Sequence, residues 1–191
     1  MSVKRIGVLV SGGGTNLQAI IDATLKGDIN GEVVIVISNR KDAYGLERAR
    51  IKGIRSEFVD YSDVDAYNKR VLELLIEEKV DLVVLAGYLK VVGKDIIGTY
   101  EDRIINIHPS LIPSFCGKGY YGERVHKAVL DKGVKVTGAT VHFVDEGTDT
   151  GKIILQEAVE VLDDDTIESL QKRVLEIEHK LLVKALRMLC K

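Results

Sequence analysis

Tryptophan is absent from this 191-residue sequence, and cysteine and proline occur only twice each. The two cysteines, Cys116 and Cys190, have no metal-ligand spacing, and a single pair of thiols is no disulfide framework. A reducing cytosol is the expected compartment. An excess of one charge sign is also missing: 27 Lys and Arg face 29 Asp and Glu, a net charge of −2. Binding a nucleic-acid backbone draws on a concentrated surplus of basic side chains, which this sequence lacks, so no nucleic-acid partner is expected. No apolar run approaches the roughly 20 residues that span a bilayer. The stretch after Met1 is interrupted by Ser11 and glycines before it reaches the length of a secretion signal. Neither a membrane partner nor a leader is expected. No His or Cys spacing matches a zinc site and no His-Glu-x-x-His occurs, so no metal is expected either.

What is present suits one folded domain over residues 1–191: 46% of residues are hydrophobic, enough for a real core, and 29% are charged, enough for solubility. Solid apolar runs at residues 6–10, 33–37 and 81–86 read as strands covered on both faces. Strands are also read at 56–59 and 104–107. Helices are read between them, opening at Leu17 and covering 44–51, 63–78 and 92–100. The alternation predicts an α/β fold with an open, mostly parallel, doubly wound sheet. The second half differs. A loop over 109–122 leads to a helix at 123–132, then to strands at 136–144 and 152–159, close enough to pair antiparallel and extend the sheet. A long final helix begins at the acidic cap 163–166, which suits the positive end of a helix dipole, and runs to about Met188.

Gly12-Gly13-Gly14 stands between the first strand and the first helix. Three glycines cost backbone entropy, so they belong where the chain turns tightly or approaches something closely. The N-terminus of the next helix offers unpaired N–H groups and a positive dipole end, which favours a phosphate, with Thr15 and Asn16 adding donors at the rim. The spacing is neither the dinucleotide G-x-G-x-x-G, since Leu17 takes the third glycine position, nor a Walker sequence. A mononucleotide or sugar phosphate therefore fits better than NAD. The alternative is a tight turn with no ligand.

Asn106-Ile107-His108-Pro109-Ser110 ends a buried strand, and in open α/β sheets ligands bind beyond the carboxyl ends of strands. Period-two alternation puts Asn106 and His108 on one side. An amide donor and an imidazolium aimed at one point suit a carbonyl oxygen that gains negative charge. Pro109 and Pro113, the only prolines, stiffen the strand's exit. The alternative is a capped core histidine. The loop Asp145-Glu146-Gly147-Thr148-Asp149-Thr150-Gly151 joins two strands at the same edge. One of its carboxylates could reach His108 and favour the imidazolium. Asp149 is preferred, although the pattern alone does not separate it from Asp145, and a solvated turn is the plain alternative. His126 on a helix, His142 in a strand and His179 on the last helix carry weaker signals; His142 is expected to face a neighbour or the loop.

Residues 10–20, Ser38-Asn39-Arg40, 45–49, 84–88, Asn106-Ile107-His108-Pro109-Ser110-Leu111-Ile112-Pro113, 138–144 and 149–151 together resemble the phosphoribosylglycinamide formyltransferases. The resemblance runs from Lys4 to about Met188, and the Asn-x-His-Pro element is shared with the wider group of formyl-folate transferases and hydrolases. It implies a Rossmann-like formyltransferase fold and a cytoplasmic enzyme of purine synthesis. Its reaction moves the formyl group of 10-formyltetrahydrofolate, as co-substrate, to the amine of glycinamide ribonucleotide. Methionyl-tRNA formyltransferases and formyltetrahydrofolate deformylases carry an additional domain for which this sequence is not expected to have room.

By position, the resemblance assigns Asn106 and His108 to the tetrahedral oxyanion and Asp149 to His108 and to proton transfer. Gly13, Gly14, Thr15 and Asn16 would hold the phosphate, and Glu178 the ribose hydroxyls. Tyr88, Leu89, Lys90, Val91 and Val92 would face Val144, Glu146, Gly147, Thr148 and Asp149 across the pterin, largely through main-chain groups, with Asn106 beside them. The N-terminal half, to about residue 105, would thus carry the phosphate site, and the C-terminal half, from about 106 to 191, the catalytic and folate loops. A monomer or homodimer is expected. Two departures stand out: Leu175 replaces a polar residue common one helical turn before the ribose-binding Glu, and the loop after Pro113 is long, with Cys116 where Pro is usual and Lys118 near the site. Cys116 is read as packing.

Overall fold

The structure, a computed structural model, describes residues 2–191. Seven strands form one sheet: β1 (Lys4–Val10), β2 (Gly31–Ser38), β3 (Arg55–Phe58), β4 (Leu82–Leu85), β5 (Ile104–His108), β6 (Val136–Phe143) and β7 (Ile153–Glu160). Six helices connect and cover them: α1 (Thr15–Leu25), α2 (Tyr44–Ile51), α3 (Val64–Glu77), α4 (Lys94–Thr99), α5 (Glu123–Lys132) and α6 (Ile167–Leu189). The strand order is β3-β2-β1-β4-β5-β6-β7. The first five strands are parallel, and β6 and β7 join antiparallel. The expected architecture is the observed one. Helix α4 starts two residues later than its apolar pattern implies, which leaves Val92 in an irregular segment.

Alternation along the parallel strands explains why both faces need cover. Val8 and Val10 of β1 face a core shared with α1 and α6, while Leu9 faces a second core built with α3 and α4. All three are at most 1% exposed. With β1 leading outward to β2 and β4 on its other side, the topology reverses between β1 and β4, which opens a crevice at their carboxyl ends. Helix α6 is amphipathic: Leu170, Val174, Leu181, Leu182 and Ala185 are buried at helical spacing. Its start is fixed by a capping box in which Thr166 and Ser169 each bond the other's main chain. Glu178 lies on that same buried face, which brings a carboxylate to the crevice.

Candidate active site

A cleft of about 770 Å³ lies over the carboxyl ends of β1, β4 and β5 and is closed on one side by the loop after β6. Its size is that of a small-molecule site. Every residue expected there from the sequence lines it except Glu146. Glu146 is instead turned outward, 64% exposed, with its carboxylate 2.8 Å from Lys94 Nζ. Solvation and a partner outside explain the difference, because a charged side chain at a loop tip gains nothing by entering an apolar wall.

At one end sits the glycine turn. Gly14 has φ 69° and caps α1 without a side-chain bond. A Cβ there would stand 2.7 Å from Gly45 Cα, so glycine is required twice over. The first intrahelical bond of α1 runs from Gln18 N–H to Gly14 C=O, so the N–H groups of the first turn are left for a guest. Arg48 Nε donates to the Gly13 carbonyl at 2.7 Å and adds positive charge behind the turn. Asn16 Nδ2 donates to Glu178 Oε2 at 2.7 Å, while Asn16 Oδ1 is buried without a partner. Burial pushes the Glu178 carboxyl up to about 7, against the opposing bond from Asn16. Gln171 and Leu175 line the cleft on the same face of α6.

At the centre, β5 delivers Asn106 and His108. His108 is buried, and its Nε2 lies 2.9 Å from the Phe115 carbonyl. A carbonyl only accepts, so Nε2 carries hydrogen and Nδ1 is the nitrogen turned to Asp149 Oδ2, 3.6 Å away. That distance is an ion-pair contact and too long for a direct hydrogen bond. Asp149 is therefore the loop carboxylate that reaches His108. Asp145 Oδ1 accepts from Gly147 N–H and Thr150 Oγ and is spent within the turn. Asp149 occupies left-handed backbone at φ 58°, uncommon for a residue with a side chain, and is held there by Gly117 N–H donating to Oδ2 at 2.8 Å. Gly151 is packed so closely that a Cβ would meet the Phe143 carbonyl oxygen at 1.8 Å.

His142, assigned no part in the site from the sequence, faces both a neighbouring strand and the loop. It pairs with Asn106 across β5 and β6, and its Nε2 lies 3.2 Å from Asn106 Nδ2 and 3.7 Å from Asp149 Oδ1. Its Nδ1 is 2.7 Å from the Phe143 carbonyl and must donate there. In the neutral ring Nε2 is then an acceptor, so Asn106 Nδ2 donates to it and keeps its second hydrogen for the cleft. Burial lowers the His142 pKa, which favours that neutral ring. His126 also lines the cleft. Burial, assisted by the neighbouring His108, lowers it to about 4. The available signal was parity: residues 138, 140 and 142 of β6 share one face, and so do Asn106 and His108 of β5.

At the other end, residues 88–92 face Val144, Gly147 and Thr148. None of Lys90, Val91 and Val92 engages its main chain in a strand or helix, so donors and acceptors are available along this wall. Lys118 lines the cleft, while Cys116 Sγ lies 3.3 Å from the Pro113 carbonyl. Among the described residues no group of three His, Cys, Asp or Glu side chains is arranged to hold a metal ion.

Comparison with known proteins places this geometry among relatives. The family described as formyl transferase matches residues 4–186. The chloroplastic phosphoribosylglycinamide formyltransferase of Arabidopsis thaliana is 43% identical over 191 residues, which cover 98% of this chain and 65% of the relative. This chain thus spans just under two thirds of that protein's length. The crystal structure of glycinamide ribonucleotide transformylase 1 from Symbiobacterium toebii superposes with a TM-score of 0.93 at 48% identity, covering 98% of this chain and 88% of the other. A formyltetrahydrofolate deformylase from Pseudomonas syringae is more distant, with a TM-score of 0.87 at 29% identity, covering 96% of this chain and 60% of the other.

Proposed function

The chain belongs to the formyl transferase family, and on that premise we propose that it transfers the formyl group of 10-formyltetrahydrofolate to the primary amine of glycinamide ribonucleotide. The observation that carries this reading is a cleft with two unlike ends and one polar centre. The anion-ready turn and buried Glu178 suit a ribose phosphate, the 88–92 wall suits a flat heterocycle, and Asn106, His108 and Asp149 lie between. A deformylase needs water at the centre and has no use for a second, phosphate-binding end.

The amine attacks the formyl carbon, a C–N bond forms, and the carbonyl electrons move to oxygen. Asn106 Nδ2 and protonated His108 meet that oxyanion, which is charge stabilisation where charge develops. With Nε2 committed to the Phe115 carbonyl, His108 Nδ1 is the nitrogen left for the reaction. The proton lost by the attacking amine passes through water and Asp149 towards the departing folate nitrogen. Collapse of the intermediate breaks the old C–N bond and gives the formylated ribonucleotide and tetrahydrofolate. Gly13, Gly14, Thr15 and Asn16 bind the phosphate and Glu178 the ribose hydroxyls. Tyr88, Leu89, Lys90, Val91, Val92, Val144, Gly147 and Thr148 enclose the pteridine. We place the reaction in the cytosol, early in purine synthesis, with small molecules as the only partners and the chain as monomer or homodimer.

Steady-state turnover of 10-formyltetrahydrofolate, with and without glycinamide ribonucleotide, tests the reading. Turnover that depends on the ribonucleotide is expected. Equal turnover in its absence would mean a hydrolase.

A further inference from the structure

The wall formed by residues 88–93, between β4 and α4, belongs to no helix or strand. Its ends are anchored in the core by Tyr88 and Val92, buried with side chains of α3 and α4, whereas Leu89 and Val91 between them are 53% and 67% exposed. The stretch between those two residues, with so little burial, is mobile unless something outside holds it. Contacts from behind the cleft do so along its length. The Leu89 N–H donates to Ser11 Oγ at 2.9 Å, and Ser11 Oγ donates on to Asn39 Oδ1 at 2.6 Å. The buried hydroxyls of Tyr88 and Tyr67 are bonded at 2.8 Å. The Lys90 ammonium lies 4.7 Å from the centre of the Tyr61 ring, which itself packs edge-on against Tyr67. At the far end Gly93 N–H donates to Asn68 Oδ1 at 3.0 Å, while Asn68 Nδ2 is tied to the Val64 carbonyl at 2.8 Å. The fit is close: a Cβ at Gly93 would stand 2.6 Å from Asn68 Cγ.

We propose that Tyr67 and Asn68 of α3, with Ser11, are positioning residues that clamp the 88–93 wall before the formyl donor arrives. None of the three lines the cleft. The proposal rests on reading this wall as the folate side of the site. A wall already in place spares the ligand the entropy of ordering it, so the clamp acts on donor binding. The chemical step, made by Asn106, His108 and Asp149, does not depend on it. Ser11 also borders the glycine turn and would disturb both ends if changed. The two α3 residues therefore separate the effect cleanly.

Two variants test it. Asn68→Ala removes the acceptor of Gly93 N–H while supplying a better helix former, so the fold is kept. Tyr67→Phe removes one hydroxyl and keeps the buried ring. Hydrogen exchange of residues 88–93 in the free protein should quicken in both variants. KM for 10-formyltetrahydrofolate should rise about five- to tenfold. Both kcat and KM for the ribonucleotide should stay within about twofold. Asn68→Asp keeps an acceptor for Gly93 and should restore slow exchange and low KM. Unchanged exchange in both variants overturns the clamp, and so does a fall in kcat with the folate KM unmoved. An inactive wild-type protein would instead overturn the transferase reading, and exchange alone would still decide the clamp.

Discussion

Replacing Glu178 with glutamine isolates the one carboxylate that this fold buries at the glycine-turn end of the cleft. Glu178 is 8% exposed and accepts a single bond, from Asn16 Nδ2. Loss of hydration outweighs that bond and raises its pKa from the ordinary 4.5 to about 7. A folded-state value above the unfolded one means that the native protein holds the proton more tightly. The associated stability is fully present below the unfolded value and is lost as pH rises through the folded one. At about 1.4 kcal/mol per unit, the shift corresponds to about 3 kcal/mol. The amide of Glu178→Gln does not titrate. Its stability relative to wild type should therefore climb by about 3 kcal/mol from mildly acidic to mildly alkaline pH, a gap of roughly 6–12 °C in Tm for a chain of this size. Urea melts of both proteins at closely spaced pH values measure the difference, in which every other titrating group cancels. Parallel curves would refute the burial argument, because they would show that this carboxylate does not change charge in the window. The stabilised variant should also lose ribonucleotide affinity, since an amide is a poorer acceptor than a carboxylate for ribose hydroxyls.

Asn106→Ala and His108→Ala should each lower kcat about 100-fold or more while near-native thermal melts persist; loss of folding with either change would point to a structural role. Asp149→Gly should keep the fold, because glycine adopts the left-handed backbone of this position without steric strain, yet lose most turnover in the same rate assay. His126, lowered to about 4 by burial, works in the opposite sense to Glu178. Its contribution is intact above the unfolded value near 6.5 and is lost as pH falls towards 4. His126→Leu should therefore flatten the acid limb of the stability–pH curve. Gly151→Ala should destabilise the protein by several kcal/mol, at least as much as a typical overpacking change, as read from urea midpoints, because its Cβ has no room beside the Phe143 carbonyl.

Local pattern carried the fold a long way here. The apolar runs of β1, β2 and β4, the glycines after β1 and the capped start of α6 are short-range signals, and the helix-covered sheet follows from them. Asn106 and His108 were legible as a pair because strand parity is a property of neighbours. The rest depended on partners far apart in the chain. Asn16 and Glu178, 162 positions apart, meet only because α6 packs against α1. The part played by His142 needs the register that sets it opposite Asn106. Asp149 could not be separated from Asp145 by pattern, because the choice rests on one left-handed residue and on which carboxylate the turn consumes for itself. Glu146 was expected inside the cleft and is drawn outward to Lys94, a contact between a loop and the start of α4 whose approach no sequence window contains.

The most direct test of formyl transfer follows the formyl carbon itself. With 10-formyltetrahydrofolate labelled with carbon-13 at the formyl group and glycinamide ribonucleotide present, NMR should show the label passing from the folate into a new formamide on the ribonucleotide. Label released as free formate, with the ribonucleotide unchanged, would contradict the account.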